Sequence, residues 1–153
     1  MFTAFILFSL TISAEPPKEK EKEKEFSAEA KKELKKLEGK WKVVKLADAT
    51  KEAEAKDQEL FFVFKGTEVK LTSGEKSEML HITAIDPTTD PKCIDFAEKR
   101  EGKPERTLEG VYKIDGETLQ IAFSVLKEGK NRPTSFEKPG DRAIVWTLKR
   151  VKE

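Results

Sequence analysis

The stretch RPTSF, which begins at Arg132, is the most distinctive polar segment of the sequence. The guanidinium of Arg132 is a planar fork of N–H donors that fits a carboxylate or a phosphate, and Pro133 restricts the backbone beside it. Two roles follow. The arginine binds an anionic group of a ligand, or it pairs with an internal carboxylate, Asp95 or Asp115, and fixes its own loop. We favour the second role, with Phe136 packing the segment against the rest of the fold.

His81, Cys93 and Tyr112 are the remaining candidates for catalysis or ligand binding. Because the sequence has one histidine and one cysteine, multi-histidine metal sites and internal disulfides are excluded, and any Ser–His or Cys–His pair would use His81. We expect His81 and Cys93 to be structural. Tyr112 is expected to pack in the core, with its hydroxyl directed into the interior or bonded to the backbone. Since the sequence has no glycine-rich phosphate loop, nucleophile elbow or zinc motif, we predict no catalytic residue, no metal site and no cofactor, and we do not expect an enzyme.

The charge of the chain excludes a further class of function. The 153 residues include 30 basic and 29 acidic side chains, so the net charge is close to zero. Binding to nucleic acid is driven by a basic surface that neutralises phosphates, and the sequence shows no basic field of that kind. We therefore expect no nucleic-acid partner.

The N-terminal segment has the composition of an export signal. Residues 1–14 contain no charged side chain, and the apolar run from Phe2 to Ile12 is shorter than the about 20 residues that a membrane-spanning helix needs. This pattern predicts a signal peptide, residues 1–14, that is cleaved after Ala14; the alternative is a buried N-terminal strand. Residues 15–26, with two prolines and alternating lysine and glutamate, are predicted to be a charged disordered tether. The mature chain is then exported to the periplasm or the extracellular space, without a transmembrane span.

Residues 27–153 have the pattern of one domain that begins with a helix. Ser27 is positioned to cap the first turn. The apolar residues around it recur at helical spacing: Phe26, Ala30, Leu34 and Leu37. Gly39 stands where a residue with positive φ commonly ends a helix, so we expect the chain to turn there directly into a strand.

Beyond Gly39 the apolar residues alternate with a period of two, which indicates β-strands. The predicted strands are 40–46, 60–65, 68–72, 79–85, 93–97, 109–114, 118–124 and 143–150. Turn sequences separate most of them, and the Asp115-Gly116 pair is the strongest hairpin signal. Eight short strands in succession, without intervening helices, predict a mainly β antiparallel meander that closes into a barrel or packs as a sandwich.

Two features near the first strand depart from simple alternation. Trp41 and Val43 share a face of the strand, and Leu46 joins them there only through a bulge or a slip. The connection 47–59 is long and helix-prone. We expect it to form either a lid over the barrel rim or, as we favour, a solvated excursion with a short surface helix.

The sequence GKW, which begins at Gly39, resembles the lipocalin and calycin pattern at the entrance to the first strand. In that pattern the indole lies across the closed end of the barrel, and a basic residue from the last strand packs over it. The resemblance implies that Gly39, Trp41 and Arg150 close this barrel, since Arg150 shares its alternation face with Trp146. Such a cation–π contact contributes about 0.5–2 kcal/mol.

A closer resemblance is to an uncharacterised family of small secreted lipocalin-like domains found chiefly in planctomycetes. It covers residues 37–152 and depends on the order and spacing of several pieces, among them LEGKWKVV, DPTTDPKCID, LEGVYKIDGETLQIAF, NRPTSFEKPGD and LKRVKE. It implies an exported bacterial protein with an eight-stranded antiparallel up-and-down lipocalin-like barrel and an N-terminal helix. It implies no particular activity.

The resemblance and the apolar alternation together predict a protein that binds a small apolar or amphipathic molecule inside the barrel. The candidate ligand-binding residues are Phe62, Phe64, Tyr112, Phe123, Arg132 and Trp146. Side chains alone can fill a small barrel. The second hypothesis is therefore a solid barrel that acts through its rim loops as a protein-interaction or envelope-associated module, with an unknown protein partner. The third is a hydrolase or isomerase that uses His81, Tyr112 or Arg132.

Overall fold

A computed structural model describes residues 25–48, 50–55, 57–99, 101–124, 132–140 and 142–152. The predicted signal peptide, residues 1–14, and residues 15–24 of the predicted tether lie outside the described residues. Within the described ranges the chain forms the helix α1, Ala28–Leu37, and nine strands. The strands are β1 Gly39–Ala47, β2 Glu52–Glu54, β3 Leu60–Lys65, β4 Glu68–Ser73, β5 Lys76–Asp86, β6 Lys92–Glu98, β7 Arg106–Asp115, β8 Thr118–Ser124 and β9 Ala143–Arg150.

The strands form a closed antiparallel barrel. The barrel contains eight strands, which are β1 and β3 to β9. Each strand pairs with the one that follows it in this series, and β9 pairs with β1 to close the barrel. The short strand β2 lies outside this circle, paired with the end of β1. The predicted fold class is confirmed: the described chain is mainly β, with an eight-stranded up-and-down barrel and one helix N-terminal to the strands. The sandwich alternative is excluded by the β1–β9 pairing.

The alternation of apolar residues determines which side of each strand faces the interior. Across β8 and β9, Leu119 lies opposite Leu148 and Ile121 lies opposite Trp146, and residues directly opposite each other share one face of a sheet. Leu119, Ile121 and Leu148 are completely buried, so this face is the core. A smaller apolar cluster lies on the outer face of the same region: Val111, Ala122 and Val145.

The helix begins and ends where the sequence predicted. The Ser27 hydroxyl oxygen accepts a hydrogen bond from the Ala30 N–H at 3.1 Å, and α1 ends two residues before Gly39. Gly39 has φ +119°, and a Cβ atom there would lie 3.0 Å from a guanidinium nitrogen of Arg150. The backbone conformation at this position strongly favours glycine. Among the described residues, no helix combines the length and the apolar composition needed to cross a bilayer.

The first strand contains the irregularity that the position of Leu46 required. The register between β1 and β9 shifts between Val43 and Lys45. Leu46 then lies opposite Trp146 and packs against the core. The bulge thus returns Leu46 to the inner face of the barrel.

The connection after β1 does not form the predicted surface helix in the part that the structure describes. It instead contains β2, whose residues are all exposed. The Asp48 carboxylate accepts hydrogen bonds from the N–H groups of Thr50 and Lys51 at 2.8 and 2.9 Å, and such a turn competes with helix formation. The end of β1 also offers an edge with which β2 pairs. The prediction of a helix here is wrong, because helix propensity was outweighed by these two local alternatives.

Candidate functional site

The two ends of the barrel differ. α1 lies at the end where β1 starts and β9 finishes, which we call the helix end. The β4–β5 turn and the start of β7 lie at the opposite end, which we call the open end. The predicted site residues are distributed between these two ends and the outer surface.

The helix end is closed by Trp41 and Arg150. Trp41 is completely buried, and its indole N–H donates to the carbonyl oxygen of Leu37 at 2.8 Å. The guanidinium carbon of Arg150 lies 4.1 Å from the centre of the Trp41 ring, and its nitrogens donate to the carbonyl oxygens of Glu38 and Lys36, each at 2.7 Å. Carbonyl groups in the last turn of a helix lack partners within the helix, so the two side chains stabilise α1 and seal the barrel at once.

A buried carboxylate links α1 to the barrel wall. Glu33 is 4% exposed, and it accepts hydrogen bonds from the Tyr112 hydroxyl at 2.8 Å, the Lys36 ammonium at 2.6 Å and the Lys92 ammonium at 3.3 Å. Burial opposes ionisation of Glu33, but these donors outweigh it and lower the pKa of the carboxyl. Burial, together with the same carboxylate, raises the pKa of Tyr112, so the tyrosine stays protonated and donates. We call these four residues the Glu33 cluster.

Four of the six candidate ligand-binding residues form one aromatic cluster inside the barrel. Phe62 and Phe64 stack with ring centres 6.1 Å apart, and Phe123 stacks on Trp146 at 5.9 Å. Phe62 meets the Trp146 ring edge-on at 5.3 Å and so joins the two pairs. Phe62 and Phe64 are each only 2% exposed, whereas Phe123 and Trp146 are half-buried. The cluster therefore runs from the filled interior towards the open end.

Apolar side chains at the open end remain partly exposed. They pack against the core without being covered by it: Leu46, Leu71, Phe123 and Trp146. The indole nitrogen of Trp146 is itself buried and has no hydrogen-bond partner among the described residues. Leaving a buried donor unpaired costs about 1–3 kcal/mol. The open end thus combines accessible apolar area with an unsatisfied donor.

Charged residues stand at the rim of the open end. Glu98 lies opposite the buried Leu80 across β5 and β6, and Arg106 lies opposite Glu98 across β6 and β7. Both side chains therefore project on the inner side of the barrel. The Nε atom of Arg106 is 3.9 Å from a carboxylate oxygen of Glu98. This pair can meet a polar group of a ligand whose apolar part lies deeper.

Arg132 lies outside the barrel and fixes residues 132–140, which we call the strap, against the outer face. Its guanidinium donates to both carboxylate oxygens of Asp95, at 2.5 and 3.1 Å, and to the carbonyl oxygen of Gly110 at 2.7 Å. Further along the strap, Phe136 packs on the outer apolar cluster. The structure therefore pairs Arg132 with Asp95 rather than with Asp115, and it places this arginine away from the aromatic cluster.

Arg132→Ala is expected to lower the free energy of unfolding by about 1–3 kcal/mol, because Asp95 and the Gly110 carbonyl lose their donors. Arg132→Lys is expected to recover only part of this loss, since an ammonium cannot reproduce the planar fork. Urea denaturation followed by circular dichroism measures both changes. Lys138→Ala, at an exposed position of the same strap, is the control, and equal stability of Arg132→Ala and Lys138→Ala would contradict the role of the arginine.

Two grooves open on the outside of the barrel. One, of about 590 Å³, lies between the β5–β6 turn and the strap, beside β7 and β8; we call it the strap groove. The other, of about 510 Å³, lies between the start of α1, β5 and Arg132. Their linings include none of the four residues of the aromatic cluster. The open end and these outer grooves are thus separate places where a ligand could bind.

The structure does not bring the candidate catalytic residues into one site. His81 is on β5, opposite Glu68 and Ala97, and it lines neither groove. Tyr112 is held by Glu33 at the helix end, and Arg132 is held by the strap. In the part of the chain that the structure describes, no group of three or more His, Cys, Asp or Glu side chains is arranged to hold a metal ion.

The sequence pattern did not single out Glu33, although a signal was present. Glu33 lies three positions after Ala30 and four before Leu37, so the spacing that marks the apolar stripe also places this carboxylate on the buried face of α1. Its partner Tyr112 could not be found in this way, because the two residues are 79 positions apart. The Tyr112 hydroxyl bonds to this side chain and not to a backbone group.

Together these features define a small antiparallel β-barrel. It is sealed at one end by a helix, a tryptophan and an arginine, and it is lined with partly exposed aromatic residues at the other. Comparison of the chain with protein-family models, curated proteins and solved structures finds no match. Function is therefore inferred from the geometry and chemistry of the described residues.

Proposed function

We propose that this protein is an exported lipocalin-like binding protein whose open barrel end takes up the apolar part of a small amphipathic molecule. The observation that supports the proposal most directly is the partly exposed Trp146 side chain, whose ring stacks on Phe123 and whose buried N–H has no partner among the described residues. The barrel fold is compatible with this role. The open end supplies both interactions that an amphipathic ligand requires, an apolar surface and a polar group beside it.

The apolar part of the ligand contacts Trp146, Phe123 and the aliphatic side chains of Leu46 and Leu71. Because these residues are only partly buried, a ligand that covers them removes apolar surface from water, which contributes about 25 cal/mol per Å². Phe62 limits the depth of the site, since it is 2% exposed and lies edge-on against Trp146. The site is therefore shallow and suits one ring or a short alkyl chain.

The polar part of the ligand carries a hydrogen-bond acceptor. The Trp146 indole N–H is a donor only, and within the described part of the chain it is buried and unpaired. The proposed binding therefore includes a shift of the ring that brings this N–H to an acceptor oxygen of the ligand. Arg106 and Glu98 at the rim are placed to contact a charged or hydroxylated group that stays near solvent. A carboxylic acid or an alcohol with an apolar body meets both conditions.

A second candidate function is a solid barrel that contacts a protein partner through its outer surface. It is favoured by the filling of the interior, where Phe62 and Phe64 are almost completely buried, and by the position of both grooves outside the barrel wall. Under this alternative the partly exposed residues of the open end would have no small-molecule ligand. Blocking the open end is expected to weaken small-molecule binding if the first function is correct, whereas the second function predicts no such binding to weaken.

The dye 1-anilinonaphthalene-8-sulfonate, which has an aromatic body and an anionic group, tests the open end in the full-length chain. We expect saturable binding and displacement of the dye by hexanoate, a carboxylate with a short alkyl chain. Leu46→Arg places a charge among the apolar residues of the open end and is expected to weaken dye binding about tenfold or more. Trp146→Phe keeps an aromatic ring but removes the N–H, and a loss of about two- to tenfold is expected from one hydrogen bond.

Met79→Arg is the matched control, because Met79 is 42% exposed and lies opposite Lys70 on the outer face of β5. It introduces the same charge on the outer face of the barrel, outside the apolar lining of the open end, and is expected to leave dye binding unchanged. Near-ultraviolet circular dichroism verifies that each variant is folded. Absence of saturable binding, or equal weakening by Leu46→Arg and Met79→Arg, would reject the open-end site and favour the solid-barrel alternative.

A further inference from the structure

The strap groove is separate from the open end and has the size of a small-molecule site. Its volume of about 590 Å³ falls within the range of about 300–1,000 Å³ that ligand pockets occupy. One wall is the turn around Pro91, the other is the middle of the strap, and the floor is formed by β7 and β8. No residue of this groove takes part in the binding proposed for the open end.

Hydrogen bonds hold both walls of the strap groove. In the β5–β6 turn, the Thr89 hydroxyl donates to the carbonyl oxygen of Pro91 at 2.9 Å. In the strap, the Ser135 hydroxyl oxygen accepts from the N–H groups of Glu137 and Lys138, each at 3.1 Å. Arg132 holds the start of the same strap on the barrel wall. The groove is therefore formed before a ligand arrives, which reduces the entropic cost of binding.

The lining of the strap groove is polar and mixed in charge. Its side chains include hydrogen-bond donors and acceptors of several kinds: Asp90, Lys113, Gln120, Thr134, Ser135 and Glu137. The ammonium of Lys92, which also reaches the groove, is already engaged by Glu33. Because the lining residues Lys92 and Lys113 are balanced by Asp90 and Glu137, the groove has no excess of positive charge that would select an anion.

The groove also has one apolar surface. Phe136 is half-buried, with part of its ring packed on the outer apolar cluster and part lining the groove. An aromatic surface beside amide, hydroxyl and carboxylate groups suits a molecule with hydroxyl groups on its edge and C–H groups on its face. Each hydroxyl of such a molecule both donates and accepts hydrogen bonds, and its C–H face packs on the ring.

We propose that the strap groove is a second ligand site, which binds a neutral carbohydrate of one or two sugar units. The sugar ring lies against Phe136, and its hydroxyl groups bond to Gln120, Lys113 and the hydroxyl groups of the strap. The Ser135 oxygen already accepts two backbone N–H groups, so its O–H remains to donate to the sugar. This binding is independent of the ligand at the open end.

Two-dimensional ¹H–¹⁵N NMR of the full-length chain tests the proposal with cellobiose, maltose and N,N′-diacetylchitobiose. Each is titrated to about 20 mM, which detects dissociation constants in the millimolar range. We expect at least one of them to produce saturable shifts of the amide signals of Lys113, Gln120 and Ser135. Gln120→Ala and Lys113→Ala are each expected to weaken that binding about two- to tenfold, the effect of losing one hydrogen bond.

Two control variants show whether sugar binding is confined to the strap groove. Lys70→Ala removes an exposed lysine from β4, away from the groove, and is expected to leave sugar binding unchanged. Leu46→Arg, which blocks the open end, is also expected to leave it unchanged, so the two sites succeed or fail separately. Benzoate, an aromatic anion, is titrated in parallel. The proposal is overturned if none of the three sugars shifts these signals or if only benzoate binds. It is also overturned if Lys70→Ala weakens sugar binding as much as Lys113→Ala.

Discussion

Replacing Trp41 with alanine is expected to lower the free energy of unfolding by about 3–5 kcal/mol. The indole is completely buried, so its removal leaves a cavity at the floor of the barrel. The change also removes the donor to the Leu37 carbonyl and the ring beneath Arg150. Because Arg150 holds the last turn of α1 as well, we expect the attachment of the helix to weaken together with the core.

Urea denaturation followed by circular dichroism measures this loss, and the second tryptophan provides a matched control. Trp146 is half-buried, so Trp146→Ala removes the same atoms from a less enclosed place and is expected to cost clearly less. Trp41→Phe should fall between wild type and Trp41→Ala, since it refills most of the volume but leaves the Leu37 carbonyl without its donor. If Trp41→Ala is no more destabilising than Trp146→Ala, Trp41 does not seal the barrel as described.

Glu33→Ala is expected to lower the free energy of unfolding by about 2–3 kcal/mol at neutral pH. The substitution removes three hydrogen bonds to one carboxylate and leaves the Tyr112 hydroxyl, in a side chain that is 1% exposed, without its acceptor. Glu29→Ala changes an exposed glutamate in the first turn of the same helix and serves as the control. The two variants are compared by urea denaturation, and equal losses would show that the Glu33 cluster does not hold α1 to the barrel.

The Glu33 cluster also predicts that stability falls in acid. The pKa of Glu33 is lower in the folded protein than its ordinary value of 4.5, so the unfolded chain binds the proton more strongly. The stabilisation by ionised Glu33 is therefore fully present above that ordinary value and is lost as the pH falls through the folded-state pKa. The urea midpoint of the wild type should drop more than that of Glu33→Ala between about pH 5 and pH 3. Parallel pH profiles of the two proteins would contradict this.

Some strand boundaries could be predicted from the sequence only approximately. β5 begins at Lys76 and β7 at Arg106, each three residues before the predicted start of the strand. The additional residues of β5 are polar or charged, whereas those of β7 include the buried Leu108. Both sets join their strands by backbone pairing, as Lys76 does with Ser73 and Arg106 with Glu98. Hydrogen bonding between strands does not depend on side-chain polarity, so the alternation of apolar residues locates the middle of a strand better than its ends.

The candidate site could be predicted in part. The four aromatic residues Phe62, Phe64, Phe123 and Trp146 do lie on one interior face, because strand periodicity is enough to place them there. Which of them reach the surface could not be predicted, since exposure depends on the filling of the whole barrel. Arg132 offered two carboxylate partners in the sequence, and the path of the strap selected Asp95.

By itself, the sequence determined the features that depend on near neighbours: the start of α1 at Ser27, its end before Gly39, the alternating strands and the hairpin at Asp115-Gly116. A cap, a glycine with positive φ and a two-residue turn act within a few residues, so they are visible in the sequence. The tertiary structure decided that β9 pairs with β1 and that Glu33 meets Tyr112. These contacts join residues far apart in the chain, and they form only when the sheet closes and brings the two ends of the domain together.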